Sequence, residues 1–505
     1  IHDAGLGKTT TILRIYAEIK KKEPSTRLIV SAPVCTIRAV WEEHVKIWLK
    51  EKKIKCLVVD KGIILNKHNP ADYDIVIISR NLVSTQYKKH YEWIPLSEEY
   101  VDKAGKVKLR GSFLPKTGTQ LPQLFKSTKA KTMLVIDESH YFRNSGYSKV
   151  CLQAHNKLAT VVDYAIISTA TPVCNRPSDV AGQLYAIGLN HSSNLPDEVK
   201  DLTKPKTWDE SRFTIKIKTV ELFNANVHRR DETILDLPNI THNVISFNSF
   251  EGFTTKNKKL YNIELEKARR IRNLQKGGKV NIDALRQMLL AITKMTQMIV
   301  HPKLFKTGAA GLKSKHFRKI QNTPSPMLNR LSLLVKEIRD SGHKQLLVFG
   351  LHTKSIMEIA QQRLLEDHED CSYYFYHGGL SQKQRNELVT EFLTPNPSTT
   401  KILFIQMIAG GVGLNLVPGP TAAIFIQQSW NPMDHLQAFK RIHRIGQDKP
   451  VSIYNLVGTG SPDDAIRQIH EDKLSAVGAV VNGNALGDNP WRTKGRAVDL
   501  CKPAK

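Results

Sequence analysis

The 505-residue chain carries 74 lysines and arginines against 47 acidic residues, a net charge of +27, with 41% hydrophobic residues. That length exceeds what one hydrophobic core serves and points to two or three; the basic excess points to a polyanionic partner, nucleic acid foremost, beside the plainer reading of a soluble basic surface. No apolar run approaches the roughly 18 residues of a membrane span, Ile1-His2-Asp3 opens no secretory signal, and six dispersed cysteines without a CxxC pair argue against zinc and for reduced, intracellular thiols.

At the start, Gly5-Leu6-Gly7-Lys8-Thr9 runs into a helical pattern with Ile12, Ile15, Tyr16 and Ile19 on one face and Lys20-Lys21-Lys22 at its end. Small glycines let backbone N–H groups close around phosphate oxygens, and a helix N-terminus adds its positive end. Lys8 is expected to reach the β- and γ-phosphates of ATP and the Thr9 hydroxyl to ligate Mg²⁺, with Gly5, Gly7 and Thr10 in the cradle. His2 stands where the strict pattern has glycine, and the strand that ordinarily precedes this motif is missing, so the chain reads as shortened at its N-terminus.

Short apolar runs then recur between helical stretches: Leu28-Ile29-Val30, Ile75 to Ile78, Met133 to Ile136 and Ala165 to Ile167. A second set reads Leu346 to Phe349, Ile402 to Ile405, Ala423 to Ile426 and Val451 to Tyr454. Continuously apolar strands alternating with helices mark parallel α/β sheets, and two sets imply two α/β lobes. Trp41 and Trp48 share a helical stretch and read as core. Val101 to Lys131 holds eight basic residues and the single acid Asp102, a surface insertion.

The expected division is a first lobe over 1–245, a helical insertion and linker over 246–325, a second lobe over 326–475, and a poorly ordered tail over 476–505. Glu264 to Met298 has helical periodicity interrupted by Gly277-Gly278, and Thr323-Pro324-Ser325-Pro326 is the boundary signal. Basic patches at 256–279 and 303–319 read equally as grips on a duplex or as solvated faces.

Asp137-Glu138-Ser139-His140 closes an apolar run, and an acid at the C-terminal end of a parallel strand faces the sheet's ligand crevice. Asp137 is expected to hold Mg²⁺ and Glu138 to polarise the attacking water. In Arg441-Ile442-His443-Arg444-Ile445-Gly446-Gln447, following a helical stretch from about Asp434, Arg441 and Arg444 at i and i+3 share one helical face. Two guanidiniums there suit the negative charge of a phosphoryl-transfer transition state, entering from the opposite lobe; alone, the segment also reads as a solvated basic helix.

With these residues assembled, the chain resembles the SWI/SNF-type (Snf2) helicase-like ATPases of helicase superfamily two, over residues 3 to about 472. Asp3 to Thr9 is similar to the family's DEMGLGKT, Asp137 to His140 to its DESH, and Ser168 to Pro172 with Asn175 to its TGTPxxN, with Ala170 for glycine. Arg229-Arg230 with Leu237-Pro238, His301 to Leu304, Tyr376-His377-Gly378 with Arg385, and Ala409 to Leu416 resemble later motifs. Trp430-Asn431-Pro432, Gln437 and Arg441 to Gln447 match the family-specific WNP…Q…RxHRxGQ.

The resemblance implies two RecA-like lobes with a helical insertion between them, ATP and Mg²⁺ as cofactors, and nuclear residence. It implies movement along double-stranded DNA, possessed by chromatin remodellers and repair translocases, with nucleosomes as a possible partner. It puts Gly413 and Gln437 at the nucleotide and His140, Thr169 and Thr171 in coupling, the two threonines reading also as core packing; Ser79, Arg80, His352, Thr353, Gly410 and Gly411 are candidates for the nucleic-acid backbone and read equally as local capping or turn residues. A strand-separating helicase of the same superfamily and a catalytically impaired DNA-binding scaffold are the alternatives.

Overall fold

The structure is a computed structural model that describes residues 6–50, 54–101, 107–116, 123–125, 130–142, 149–171, 179–188, 235–275, 282–302, 304, 325–351, 354–407, 414–467 and 470. The chain divides into two compact units, the second opening at Leu235. Among the described residues no helix is long and apolar enough to cross a membrane.

In the first unit β1 (Arg27–Ala32), β2 (Cys56–Val59), β3 (Ile75–Ser79), β6 (Thr132–Asp137) and β7 (Tyr164–Ser168) form one sheet in the order β2-β3-β1-β6-β7. Every pairing is parallel. The period of two sorts the side chains onto opposite faces. Leu28, Val30, Ile75, Ile77, Met133 and Val135 meet Ile12, Leu13 and Tyr16 of the helix Lys8–Lys22, together with Trp41. Ile29, Val76, Ile78, Leu134 and Ile136 pack instead with Val83 and Tyr87 of the helix Arg80–His90 and Leu152 and Leu158 of Lys149–Ala159. Burial on both faces is why these strands read as unbroken apolar runs.

Of the face expected on the helix Lys8–Lys22, Ile12 and Tyr16 are buried and Ile19 packs at the margin, but Ile15 is 42% exposed and Leu13 takes its place. The insertion expected from Val101 begins at Tyr91, where β4 (Tyr91–Val101) pairs antiparallel with β5 (Val107–Pro115). Trp48, expected in the core, is 45% exposed with the Arg14 guanidinium 5.3 Å from its ring centre.

The second unit holds β8 (Ile240–Asn248), β9 (Gln345–Gly350), β10 (Ser372–Tyr376), β11 (Lys401–Gln406), β12 (Ala422–Phe425) and β13 (Val451–Thr459). They run parallel in the order β10-β11-β9-β12-β13-β8. A first lobe ending at 245 would cut β8, which pairs along its whole length with β13. This strand lies at the sheet edge with Val244 half exposed, so it shows no continuous apolar run.

The expected helical insertion is present as Thr255–Gln275 and Ile282–Val300. Its Tyr261, Leu265, Ile292 and Met295 share one core with Leu331, Val348 and Ile424, so it packs as part of the second unit. The basic patch beginning at 256 lies on the first of these helices; most of the 303–319 patch and all of the 476–505 tail lie outside the described residues. The Pro-rich boundary becomes a helix start: Ser325 caps Pro326–Asp340 through Leu328 N and donates to Val300 O at 2.6 Å.

Leu347 is fully buried on the interior strand β9. Leu347→Ala is expected to destabilise this unit by about 2–5 kcal/mol, read as a lower denaturation midpoint. A loss under about 1 kcal/mol would show that this face carries no core.

Candidate active site

The helix Lys8–Lys22 starts immediately after Gly7, whose φ of 70° and ψ of 33° is left-handed backbone that glycine adopts without a Cβ penalty. Thr11 fastens that glycine, donating to its carbonyl from both N and Oγ1 at 2.9 and 3.2 Å. No side chain at the cap position bonds the start of the helix, which leaves the first-turn amides suited to an anion. Lys8, Thr9 and Thr10 are half-buried there. Gly5 lies outside the described residues, as do Gly413, His352, Thr353, Gly410 and Gly411.

Parallel register sets the remaining groups along one sheet edge. Ala32 pairs with Ser79, Ser31 with Ile136, and Asp137 with Ser168. Asp137 closes β6 only 7% exposed, with Oδ2 accepting from Trp41 Nε1 at 2.9 Å and Oδ1 from Glu138 N at 3.0 Å. Burial and then the Glu138 charge push this carboxyl up to about 6, against the Trp41 bond, the Lys8 charge and the Glu138 amide, which pull it down. The Lys8 charge reaches Asp137, so glycine turn and acid belong to one site.

Trp41 is the residue that sequence reasoning placed only in the core. It is fully buried, and wider π-helical turns over Ile37–Glu42 carry it. Its signal was the one polar atom of an indole, which needs an acceptor when buried.

Glu138 has φ 49°, the one non-glycine residue with positive φ among those described. Arg80 Nη1 donates to its carbonyl oxygen at 3.2 Å, while the guanidinium lies 3.8 Å from the Tyr141 ring centre. Of the two readings open for Arg80 and Ser79, the local one has contacts here: Arg80 braces the acidic turn, and Ser79, 1% exposed, caps the helix Arg80–His90 by accepting from Leu82 N at 3.2 Å.

The expected coupling residues do come together. His140 Nδ1 lies 3.1 Å from Glu138 Oε2 and 3.1 Å from Thr169 Oγ1, and Thr171 N donates to that same Oγ1 at 3.1 Å. A single ring nitrogen carries at most one proton, so it donates to Glu138 or serves Thr169, not both at once. Asp137, Glu138 and Thr9 suit a magnesium ion in chemistry. Among the described residues no three or more His, Cys, Asp or Glu side chains are arranged to hold a metal ion by themselves, and a nucleotide-bound magnesium ordinarily takes most of its ligands from phosphates and water.

In the second unit, Asn431 caps the helix Pro432–Phe439 and Pro432 occupies its first position. The helix ends at Phe439, so the expectation that Arg441 and Arg444 share a helical face does not hold. They stand on successive turns, with Arg441 N, Ile442 N and Gln447 N donating to Ala438 O, Phe439 O and Arg444 O. Ile442 anchors the turn in the core, and Gln447 Nε2 staples it to Ile442 O at 3.0 Å and Pro420 O at 3.3 Å. Gly446, at φ 98°, supplies the left-handed bend.

Arg441 Nη1 donates to Leu414 O at 3.4 Å. Burial lowers the Arg444 guanidinium from its ordinary value. A desolvated cation of this kind suits an anion. Gln437 is half-buried on the preceding helix.

Two parallel α/β units, one carrying a glycine-lysine turn beside a buried Asp-Glu pair and the other a turn with two arginines, define a helicase-like ATPase architecture. Residues 1–304 match the SNF2-related domain and residues 329–446 the helicase conserved C-terminal domain. The chain belongs to the SNF2-related family.

It is 22% identical over 498 residues to the chromodomain-helicase-DNA-binding protein 3 homolog of Caenorhabditis elegans, covering 95% of this chain and 25% of that protein. It is 24% identical over 504 residues to the human SWI/SNF-related matrix-associated actin-dependent regulator of chromatin subfamily A member 1, covering 96% and 42%. The chain therefore spans less than half of these relatives. A solved structure titled "Sulfolobus solfataricus SWI2/SNF2 ATPase core in complex with dsDNA" is similar at 22% identity and TM-score 0.38, over 99% of this chain and 91% of that one.

Holding a cation requires Asp137 ionised, so Mg-nucleotide binding should weaken as pH falls through about 6. Trp41→Phe removes a bond that favours the ionised form. It is expected to move this acid limb upward by about one pH unit, measured as nucleotide affinity against pH; an unmoved limb would remove Trp41 from the site.

Proposed function

We propose that the chain is a DNA-dependent ATPase that couples hydrolysis to movement along duplex DNA. The observation that carries this reading is the left-handed Gly7 opening the Lys8 helix in the same unit as a buried Asp137, held by Trp41, beside Glu138 at the end of a parallel strand, in a chain of this family.

Lys8 and the first-turn amides hold the β- and γ-phosphates, and Thr9 and Asp137 hold magnesium, which when bound neutralises phosphate charge. Glu138 orients and polarises the attacking water. Arg441 and Arg444 supply cations of the kind that meets the charge accumulating on a transferred phosphoryl group, so their contribution depends on whether the triphosphate is intact. His140 and Thr169, sharing Nδ1 with Glu138, couple the water-activating carboxylate to the end of β7. Alternation between the intact and the cleaved triphosphate moves the units' DNA contacts and advances the duplex.

The net charge of +27 supports a polyanionic track. The relatives' names tie them to chromatin and DNA, and on that ground we propose nuclear work on duplex DNA, with nucleosomes within its range.

The test is ATP turnover with and without duplex DNA over a salt series. Stimulation by duplex that falls with rising salt is expected; turnover indifferent to DNA would overturn the reading. Lys8→Ala should lower kcat/KM by about a hundredfold or more. Glu138→Gln should keep nucleotide binding while blocking hydrolysis, and unchanged turnover in either variant would contradict the assigned roles.

A further inference from the structure

Between the two arginines lies a histidine that faces inward. His443 is 4% exposed and its neighbour Lys440 6% exposed. Lys440 Nζ lies 3.3 Å from His443 Nδ1, and an ammonium can only donate, so Nδ1 holds the lone pair. His443 Nε2 lies 2.9 Å from the Pro238 carbonyl oxygen, which can only accept, so Nε2 carries the hydrogen. Both partners select the same neutral tautomer. Burial, and then the charge of Lys440, keeps the imidazole below its ordinary range although the Pro238 bond opposes this.

Pro238 is a telling acceptor. The second unit opens at Leu235, and β8 begins at Ile240. Asn239 O accepts from Val451 N at 2.9 Å, so the entering chain is held on one side by β13 and on the other by His443. A buried lysine and imidazole cost desolvation free energy that an apolar pair would avoid, which argues for a positional role beyond packing.

We infer that His443 is a positioning residue tying the arginine turn to the connector that enters the second unit, so that engagement of Arg441 and Arg444 by nucleotide is transmitted to the chain joining the units. The inference rests on the proposed ATPase reading for its consequence, but not for the link itself. Lys440 sets the tautomer, His443 makes the bond, and Pro238 receives it.

The test compares the full chain with His443→Leu, which keeps bulk but loses the bond, and His443→Gln, whose side-chain amide can still donate to Pro238 O. Two measurements are made: kcat and KM for ATP with duplex DNA, and hydrogen exchange at Asn239 and Ile240. His443→Leu is expected to lower kcat about tenfold or more while KM for ATP stays within about twofold, and to speed exchange at Asn239 and Ile240. His443→Gln should recover most of both. Unchanged exchange in His443→Leu, or a Gln variant as impaired as Leu at the parent's melting temperature, would overturn the inference. Absence of DNA-stimulated turnover in the parent would sink the ATPase reading instead, and exchange alone would then decide the link.

Discussion

A carboxylate withdrawn from water must be held by donors or by a cation, and Asp137 is such a group. Ending β6 almost wholly enclosed, it draws one bond from an indole and one from its neighbour's amide, and its acidity is still depressed by burial. Much of the first unit can be understood from that placement. The sheet register brings the strand ends to one edge, and the π-helical turns at Ile37–Glu42 bring the indole to it. Arg80 pins the backbone of the next residue, whose left-handed conformation turns the chain sharply after the strand. The result is a buried carboxylate whose ionised form is held by the indole, the Glu138 amide and the Lys8 charge.

The second unit solves a different problem, that of presenting two cations on an irregular segment. Ile442, His443 and Gln447 point inward and fasten the turn to the core, to Pro238 and to Ile442 and Pro420 respectively. Gly446 supplies the bend. Arg441 and Arg444 remain half-buried between these anchors. The alternation of inward and outward residues explains why this segment combines two arginines with a histidine, a glycine and a glutamine.

Strands buried on both faces were legible as apolar runs, and the eight such runs fall on eight strands of the two sheets, with only Ile426 beyond its strand's end. The three that escaped, β2, β8 and β10, are all sheet edges with part-buried or exposed positions, where burial does not impose a long apolar run. The glycine-lysine turn and the Asp-Glu pair could be placed because a left-handed glycine before a helix and an acid at the end of a buried strand are local features. The roles of Ser79 and Arg80 could not, since a serine that caps a helix and one that meets phosphate look alike along the chain. The Arg441–Arg444 spacing suggested a helix, but the turn that follows Phe439 is decided by inward anchors from distant segments. The same non-local cause hid the Trp41 contact and the His443 link.

The central claim is that the glycine-lysine turn and the buried Asp137 of the first unit serve one magnesium-nucleotide site. An ATP analogue with a photoreactive aryl azide on its γ-phosphate, irradiated on the chain with magnesium and mapped by peptide mass spectrometry, tests it most directly. The account predicts ATP-competable labelling of the peptide containing Lys8 that is strongly reduced in Asp137→Asn. Labelling that spares this peptide, or that persists at full strength in Asp137→Asn, would contradict it.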